Sequence, residues 1–238
     1  MSIENRMFYF PQLTEHGQTV IITGEEQHHL EKVMRCTVGD EIRATDGRGM
    51  FFSCIVRFMN KRECGIEAVS SVQKTPYPIS IHMYCAVTKR DKYEWLIEKG
   101  TESGILHFTP VICERNKEYA RGEKIERYEK IAIAAMKQSR RPFLPIIYPP
   151  VDVQTLVKQQ IVGNIYILAF GAPHFSQSDA ACPAVALVIG PEGGFTEKEE
   201  KLLLTKQAQP RAFGEYTLKT ETAALKAAML INHYGGEF

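Results

Sequence analysis

The rhythm of apolar and polar positions changes near residue 75. Before it, short apolar runs alternate with turn residues. Gly39-Asp40 precedes EIRATD, Gly47-Arg48-Gly49 precedes MFFSCIVRF, and Asn60-Lys61-Arg62 precedes ECGIEAV. Short strands broken by Gly, Asp and Asn predict a small β-barrel or sandwich over residues 1–72. HHLEKVMR within it predicts one short helix. Thr75-Pro76-Tyr77-Pro78 predicts a linker, because two closely spaced prolines oppose both helix interior and central strand.

After the linker, strands alternate with helices. ISIHMYCAV (79–87), NIYILAF (164–170) and AVALVIG (184–190) are continuous apolar runs, the pattern of strands buried on both faces of a parallel sheet. Asp91 with Glu94 predicts a reciprocally capped helix start, and Gly104 its stop. A long amphipathic helix is expected from Lys124 to Arg140, with Ile131, Ala135 and Met136 inward and Pro142 ending it. Thr196 and Glu199 form a second capping box, and an Ala-rich helix is expected from Thr222 to His233. The class is therefore α/β, following a β-rich N-terminal module.

Composition narrows the function classes. With 238 residues, 44% hydrophobic and 24% charged, the chain can build a real core without disulfide or metal staples. No apolar run reaches transmembrane length and MSIENRMFYF lacks a signal-peptide pattern, so a cytoplasmic protein without a membrane partner is expected. Six scattered cysteines without a C-x-x-C pair predict buried thiols and no metal site. Net charge is only +1, but residues 86–145 carry 13 Lys+Arg against 9 Asp+Glu, a local excess suited to phosphate contacts.

Four stretches carry candidate chemistry. In VALVIGPEGGFTEKEE (185–200) a buried strand runs into three glycines and a proline before a capped helix. Ligands of α/β sheets bind at such strand ends, and neither phosphate-loop pattern is present, so a ligand without a polyphosphate fits. FGEYTLKTETAALKAA (213–228) places Thr220-Glu221-Thr222 before a helix, where capping alone is a sufficient explanation. KQSRRPFLP (137–145) puts Arg140 and Arg141 at a helix end, favourable to the helix dipole and equally able to grip a phosphate or an anionic base. His28 and His29 lack partners at metal-ligand spacing.

In order and spacing these stretches resemble the 16S ribosomal RNA uracil-N3 methyltransferase family, within the SPOUT superfamily of knotted methyltransferases. The resemblance also takes in Arg6-Met7-Phe8-Tyr9, HHLEKVMR…GDEIRATDGRG and TKRDKYEWLIEKGTESGILHFTPV (88–111). Tyr216 stands where the family usually has arginine, Lys219 begins a Lys-Thr-Glu-Thr in place of Arg-Thr-Glu-Thr, and Ser103 replaces a leucine.

The resemblance implies a PUA-like RNA-binding barrel (1–73) followed by an α/β domain (74–238) with a C-terminal trefoil knot, assembled as a homodimer. The implied cofactor is S-adenosylmethionine, held by Leu168, Phe170 and Gly171, by Ile189, Gly190, Gly193 and Gly194, and by Phe213, Gly214 and Leu218. The implied substrate is 16S ribosomal RNA within the small ribosomal subunit. Arg140, Glu221 and Thr220 are the expected catalytic residues, and Arg6, Arg35, Arg48, Arg141 and Lys219 the expected RNA contacts. Two rival expectations are a ribose 2′-O-methyltransferase of the same superfamily and a non-catalytic RNA-binding protein that keeps the fold.

Overall fold

A computed structural model describes residues 7–87, 89–117 and 125–237. Arg6, Thr88 and the expected first residue of the long helix, Lys124, lie outside them. Contacts group the chain into two units, Met1–Pro76 with Met136–Leu144, and Tyr77–Ala135 with Pro145–Phe238.

The first unit is built on five strands, β1 (Met7–Tyr9), β2 (Thr19–Thr23), β3 (Glu41–Thr45), β4 (Met50–Met59) and β5 (Glu63–Gln73). They pair in the order β1-β3-β4-β5-β2, antiparallel except β1 with β3. The three turn-bounded runs read from the sequence are β3, β4 and β5. The reading omitted β2, although TVIIT buries alternate residues. The expected helix is α1 (Gly24–His28), widening into a π-helical turn at His29–Val33. Phe8, Phe10, Leu30, Ile42, Phe52, Val56 and Ile66 close the core.

The second unit holds a parallel sheet of β6 (Ser80–Ala86), β7 (His107–Ile112), β8 (Ile146–Ile147), β9 (Val151–Asp152), β10 (Asn164–Leu168), β11 (Ala184–Ile189) and β12 (Gln209–Arg211). Its order is β12-β10-β11-β6-β7-β8, with β9 also on β7. The helices are α2 (Arg90–Glu102), α3 (Ile125–Ser139), α4 (Val153–Leu156), α5 (Glu197–Leu204) and α6 (Thr220–Tyr234). The apolar runs become central strands because both faces are covered. Tyr84, Ala86, Ala186 and Val188 pack in one cluster with Leu156 of α4 and Leu203 of α5.

Four local expectations are corrected. Helix α2 is capped by Lys89 without a side-chain bond, so Asp91 sits in the first turn. Glu94 pairs instead with Arg127 on α3 (2.5 and 2.8 Å). The buried stripe of α3 includes Tyr128, Ala132, Ala135 and Met136, while Ile131 is half-exposed. Helix α6 begins at Thr220, two residues early. Strand β7 went unread because Pro110 breaks a strand pattern. Pro110 lies opposite the gap between β8, which pairs with His107 and Phe108, and β9, which pairs with Val111 and Ile112. The missing N–H thus costs no outer ladder bond. Gly104 (φ +84°) does end α2, with Ile105 N–H bonded to Gly100 O (2.9 Å) and Gly104 N–H to Thr101 O (3.1 Å).

Residues 136–144 are bound to the N-terminal module. Gly49 N–H donates to Pro142 O and Leu144 N–H to Gly47 O, both at 2.9 Å. Lys137 Nζ donates to Glu26 Oε1 at 2.5 Å.

Candidate functional site

Three segments meet at the C-terminal ends of β10, β11 and β12. They are the turn after β10, the Gly190–Phe195 loop after β11, and the chain from Ala212 to Thr220 that leads into α6. Between them is a cavity of about 780 Å³ of non-protein space, counting its open mouth.

The segments are fixed by bonds that the sequence order gives no hint of. Ala169 N–H donates to Arg211 O (3.0 Å) and Ala212 N–H to Pro173 O (2.9 Å), fastening the first segment along the third. The Thr220 hydroxyl donates to Gly190 O (3.2 Å), tying the head of α6 to the glycine loop. A Cβ on Gly190 would stand 3.1–3.3 Å from the ring and amide nitrogen of Phe195, so a side chain there would push Phe195 aside by a few tenths of an ångström. Downstream, Thr196 and Glu199 form the expected capping box, and Glu199 is buried. Its Oε1 also accepts from Glu114 N–H (2.7 Å), binding α5 to the turn after β7. From that turn Arg115 donates to Gly193 O.

One further anchor is the pair Asp179–Arg211. The guanidinium donates to both carboxylate oxygens (2.6–3.0 Å), and its Cζ lies 5.2 Å from the centroid of the Tyr166 ring. Burial alone would raise the Asp179 carboxyl, but Arg211 and the Ser176 amide hold it below its ordinary value. Arg211 lines the cavity with its charge already paired.

Of the residues expected to hold a cofactor, Leu168, Phe170, Ile189, Gly190, Gly194, Phe213, Gly214 and Leu218 line the cavity, as does Thr220. Gly171 and Gly193 are not in the lining; Gly193 serves as the anchor for Arg115. Glu221 is buried at the head of α6, 3.7 Å from Lys92 on α2, and is not among the residues lining the cavity. Glu192, which the sequence reading passed over, is the carboxylate in the cavity lining.

Arg35, Arg48, Arg140 and Arg141 belong to the first unit. Arg48 contacts Asp46 (3.2 Å) and donates to Pro11 O and Leu13 O (3.1 and 3.4 Å), so much of its donor capacity is used within the fold. Arg35 and Arg140 are exposed, both with φ of +56°, a conformation left-handed for a side chain. Lys219 is exposed just before α6.

Chemically the cavity offers leucine, isoleucine and phenylalanine side chains, backbone groups of the glycine loop, one paired arginine and one carboxylate. It suits a ligand with a planar apolar body and little net negative charge. It is a poor cradle for a polyphosphate, which needs unpaired cations or a phosphate loop. Among the described residues no group of three or more His, Cys, Asp or Glu is placed to hold a metal ion.

Comparison with known proteins agrees with this geometry. Residues 75–232 match the family model of an RNA methyltransferase domain, and residues 22–68 that of an RNA methyltransferase PUA domain. The chain is 30% identical to ribosomal RNA small subunit methyltransferase E of Aquifex aeolicus, over 96% of this chain and 100% of that one. It is 30% identical to the protein of the same name from Bacillus subtilis, over 94% and 95%. The crystal structure of a ribosomal RNA small subunit methyltransferase E from Neisseria gonorrhoeae, bound to S-adenosyl methionine, superposes with a TM-score of 0.89. That match has 26% identity and covers 98% of this chain and 99% of the other.

Proposed function

The chain belongs to the ribosomal RNA small subunit methyltransferase E family of RNA methyltransferases, and from that premise we propose that it transfers a methyl group from S-adenosylmethionine to N3 of a uridine in 16S ribosomal RNA. The observation that carries the reading is the cavity at the ends of β10, β11 and β12. Its apolar walls suit an adenosine. Gly190 and Gly194 of the loop line the cavity, and its arginine, Arg211, is already paired with Asp179. When bound, the cofactor supplies an already activated methyl group on its sulfonium.

The protein's own tasks are then positioning and charge. The Thr220–Gly190 bond sets the spacing between the head of α6 and the glycine loop, and so the shape of the pocket beside the methyl donor. Glu192, in the cavity lining, is the carboxylate at hand to receive the N3 proton. Arg140 is proposed to stabilise negative charge on the uracil, with Arg141, Arg35 and Lys219 holding backbone phosphates. The N-terminal module is the RNA-docking part, and the target base must leave its stack to react.

The same reading makes the protein a cytoplasmic homodimer acting on the small ribosomal subunit, with its last segment threaded as a trefoil knot. No described helix is long and apolar enough to cross a membrane.

The test is calorimetric titration with S-adenosylmethionine, followed by transfer of labelled methyl to unmodified 16S RNA and analysis of the product nucleoside. Native protein should bind, Gly190→Val should not, and the label should appear as 3-methyluridine. A 2′-O-methylated product would move the assignment to ribose, and absence of both binding and transfer would remove it.

A further inference from the structure

Twelve large hydrophobic side chains are exposed among the described residues, and the two most exposed are Tyr216 (87%) and Phe170 (78%). They lie 46 positions apart in sequence, on different segments, yet both line the same cavity. Neither makes a ring contact or side-chain hydrogen bond with a described residue. A nearby ring behaves differently: Phe213 stacks on Phe175 (5.3 Å between centroids, 14° between planes) beneath Lys226 Nζ. Shelter for an aromatic ring is therefore present in this region, and Phe170 and Tyr216 stand outside it. Exposed aromatic surface at the mouth of a polar-rimmed pocket marks a binding surface.

We propose that Phe170 and Tyr216 are the stacking platform that receives the unstacked target base at the mouth of the donor cavity. This rests on the methyl-transfer reading and deepens it, because it names where the pyrimidine ring sits. A base swung out of an RNA stack loses its neighbours, and aromatic side chains replace them. Uracil has little stacking surface of its own, so large rings are the appropriate partners. Stacking accepts any base, so the two rings supply affinity and orientation, while identity is read at the base edge. The phenol of Tyr216 suits such a rim, with an apolar body for the base and a hydroxyl that stays wet.

The experiment uses the full chain with Tyr216→Ala, Phe170→Ala and Tyr216→Phe. Single-turnover methyl transfer is followed against the concentration of unmodified 16S RNA, supplied free and as reconstituted small subunits. Donor affinity is measured in parallel by calorimetry. Each alanine variant should lower kcat/KM for RNA by about 5- to 100-fold, Tyr216→Ala with donor affinity within about twofold of native, and Tyr216→Phe should keep the native rate. Unchanged kcat/KM in both alanine variants would overturn the platform. So would a parallel loss of donor affinity in Tyr216→Ala, which would make the rings a cover for the cofactor. A shift of the alanine variants to a smaller species on size exclusion would assign the rings to a contact between copies instead. Native protein that binds the donor and methylates neither RNA form would overturn the methyl-transfer reading itself, and the platform with it.

Discussion

At the residue scale, two of the arginines proposed to meet RNA occupy a backbone region that disfavours side chains. Arg140 and Arg35 each have φ of +56° at the end of a helical segment, where glycine is the usual occupant. The conformation costs on the order of 1 kcal/mol for a residue with a Cβ. Arg140→Gly should therefore raise the urea midpoint, by roughly 1 kcal/mol in stability, while reducing methyl transfer at least tenfold. Lower stability together with normal transfer would remove Arg140 from the chemistry. Glu192 permits a complementary test. Glu192→Gln keeps the shape of the cavity lining, so donor binding should persist while turnover falls about 100-fold, within the range for general-base loss. Equal turnover would return the proton to solvent.

At the element scale, legibility followed how local the determining physics is. Strands β10 and β11 could be read because four or more successive apolar residues require cover on both faces. The box at Thr196 and Glu199 was readable because its partners lie three residues apart. Strand β7 was hidden by Pro110, whose tolerance depends on a break between β8 and β9 far along the chain. The start of α6 was read two residues late, at Thr222 instead of Thr220, because a capping pattern of Thr and Glu fits either position. The Asp179–Arg211 anchor joins residues 32 positions apart and leaves no local signature. The face of β6 and β7 makes a separate prediction. His82 stacks on Tyr84 (3.9 Å between centroids) and shares a hydrogen bond of 2.7 Å with Thr109. Burial, aided by His107, depresses its pKa to about 3. The unfolded chain takes up this proton below about pH 6.5, and the folded protein refuses it until pH is near 3. Stability is thus fully present above that window and falls as pH drops through it, by about 1.4 kcal/mol per unit for this one proton. His107, also lowered by burial, adds to the slope. His82→Phe should flatten the acid limb of a stability-against-pH curve measured by urea unfolding; an unchanged limb would assign the slope elsewhere.

At the scale of the whole molecule, the division into units does not follow the chain. The linker read at Thr75–Pro78 coincides with the change from one unit to the other, because its prolines act locally. That Met136–Leu144 groups with residues 1–76 was not legible, because it depends on backbone pairing of Phe143 and its neighbours with Gly47–Gly49. A protease cut confined to residues 74–78 should leave two fragments that still travel together on size exclusion at neutral pH. Separation without denaturant would show that the 136–144 contacts are too weak to hold the N-terminal module.

The same return of the chain sets an order of events during synthesis. The strands of the N-terminal module all pair with one another within residues 7–73 and can form once that stretch has left the ribosome. The loop at Gly47–Gly49 must wait until Pro142 and Leu144 have been made, about 95 residues later. Closing so long a loop costs only slightly more than closing a short one, so the delay is one of time more than of free energy. The module proposed to grip RNA is thereby completed only after the chain has passed through β6, α2, β7 and α3, and a nascent chain stalled before residue 142 would carry that module unfinished.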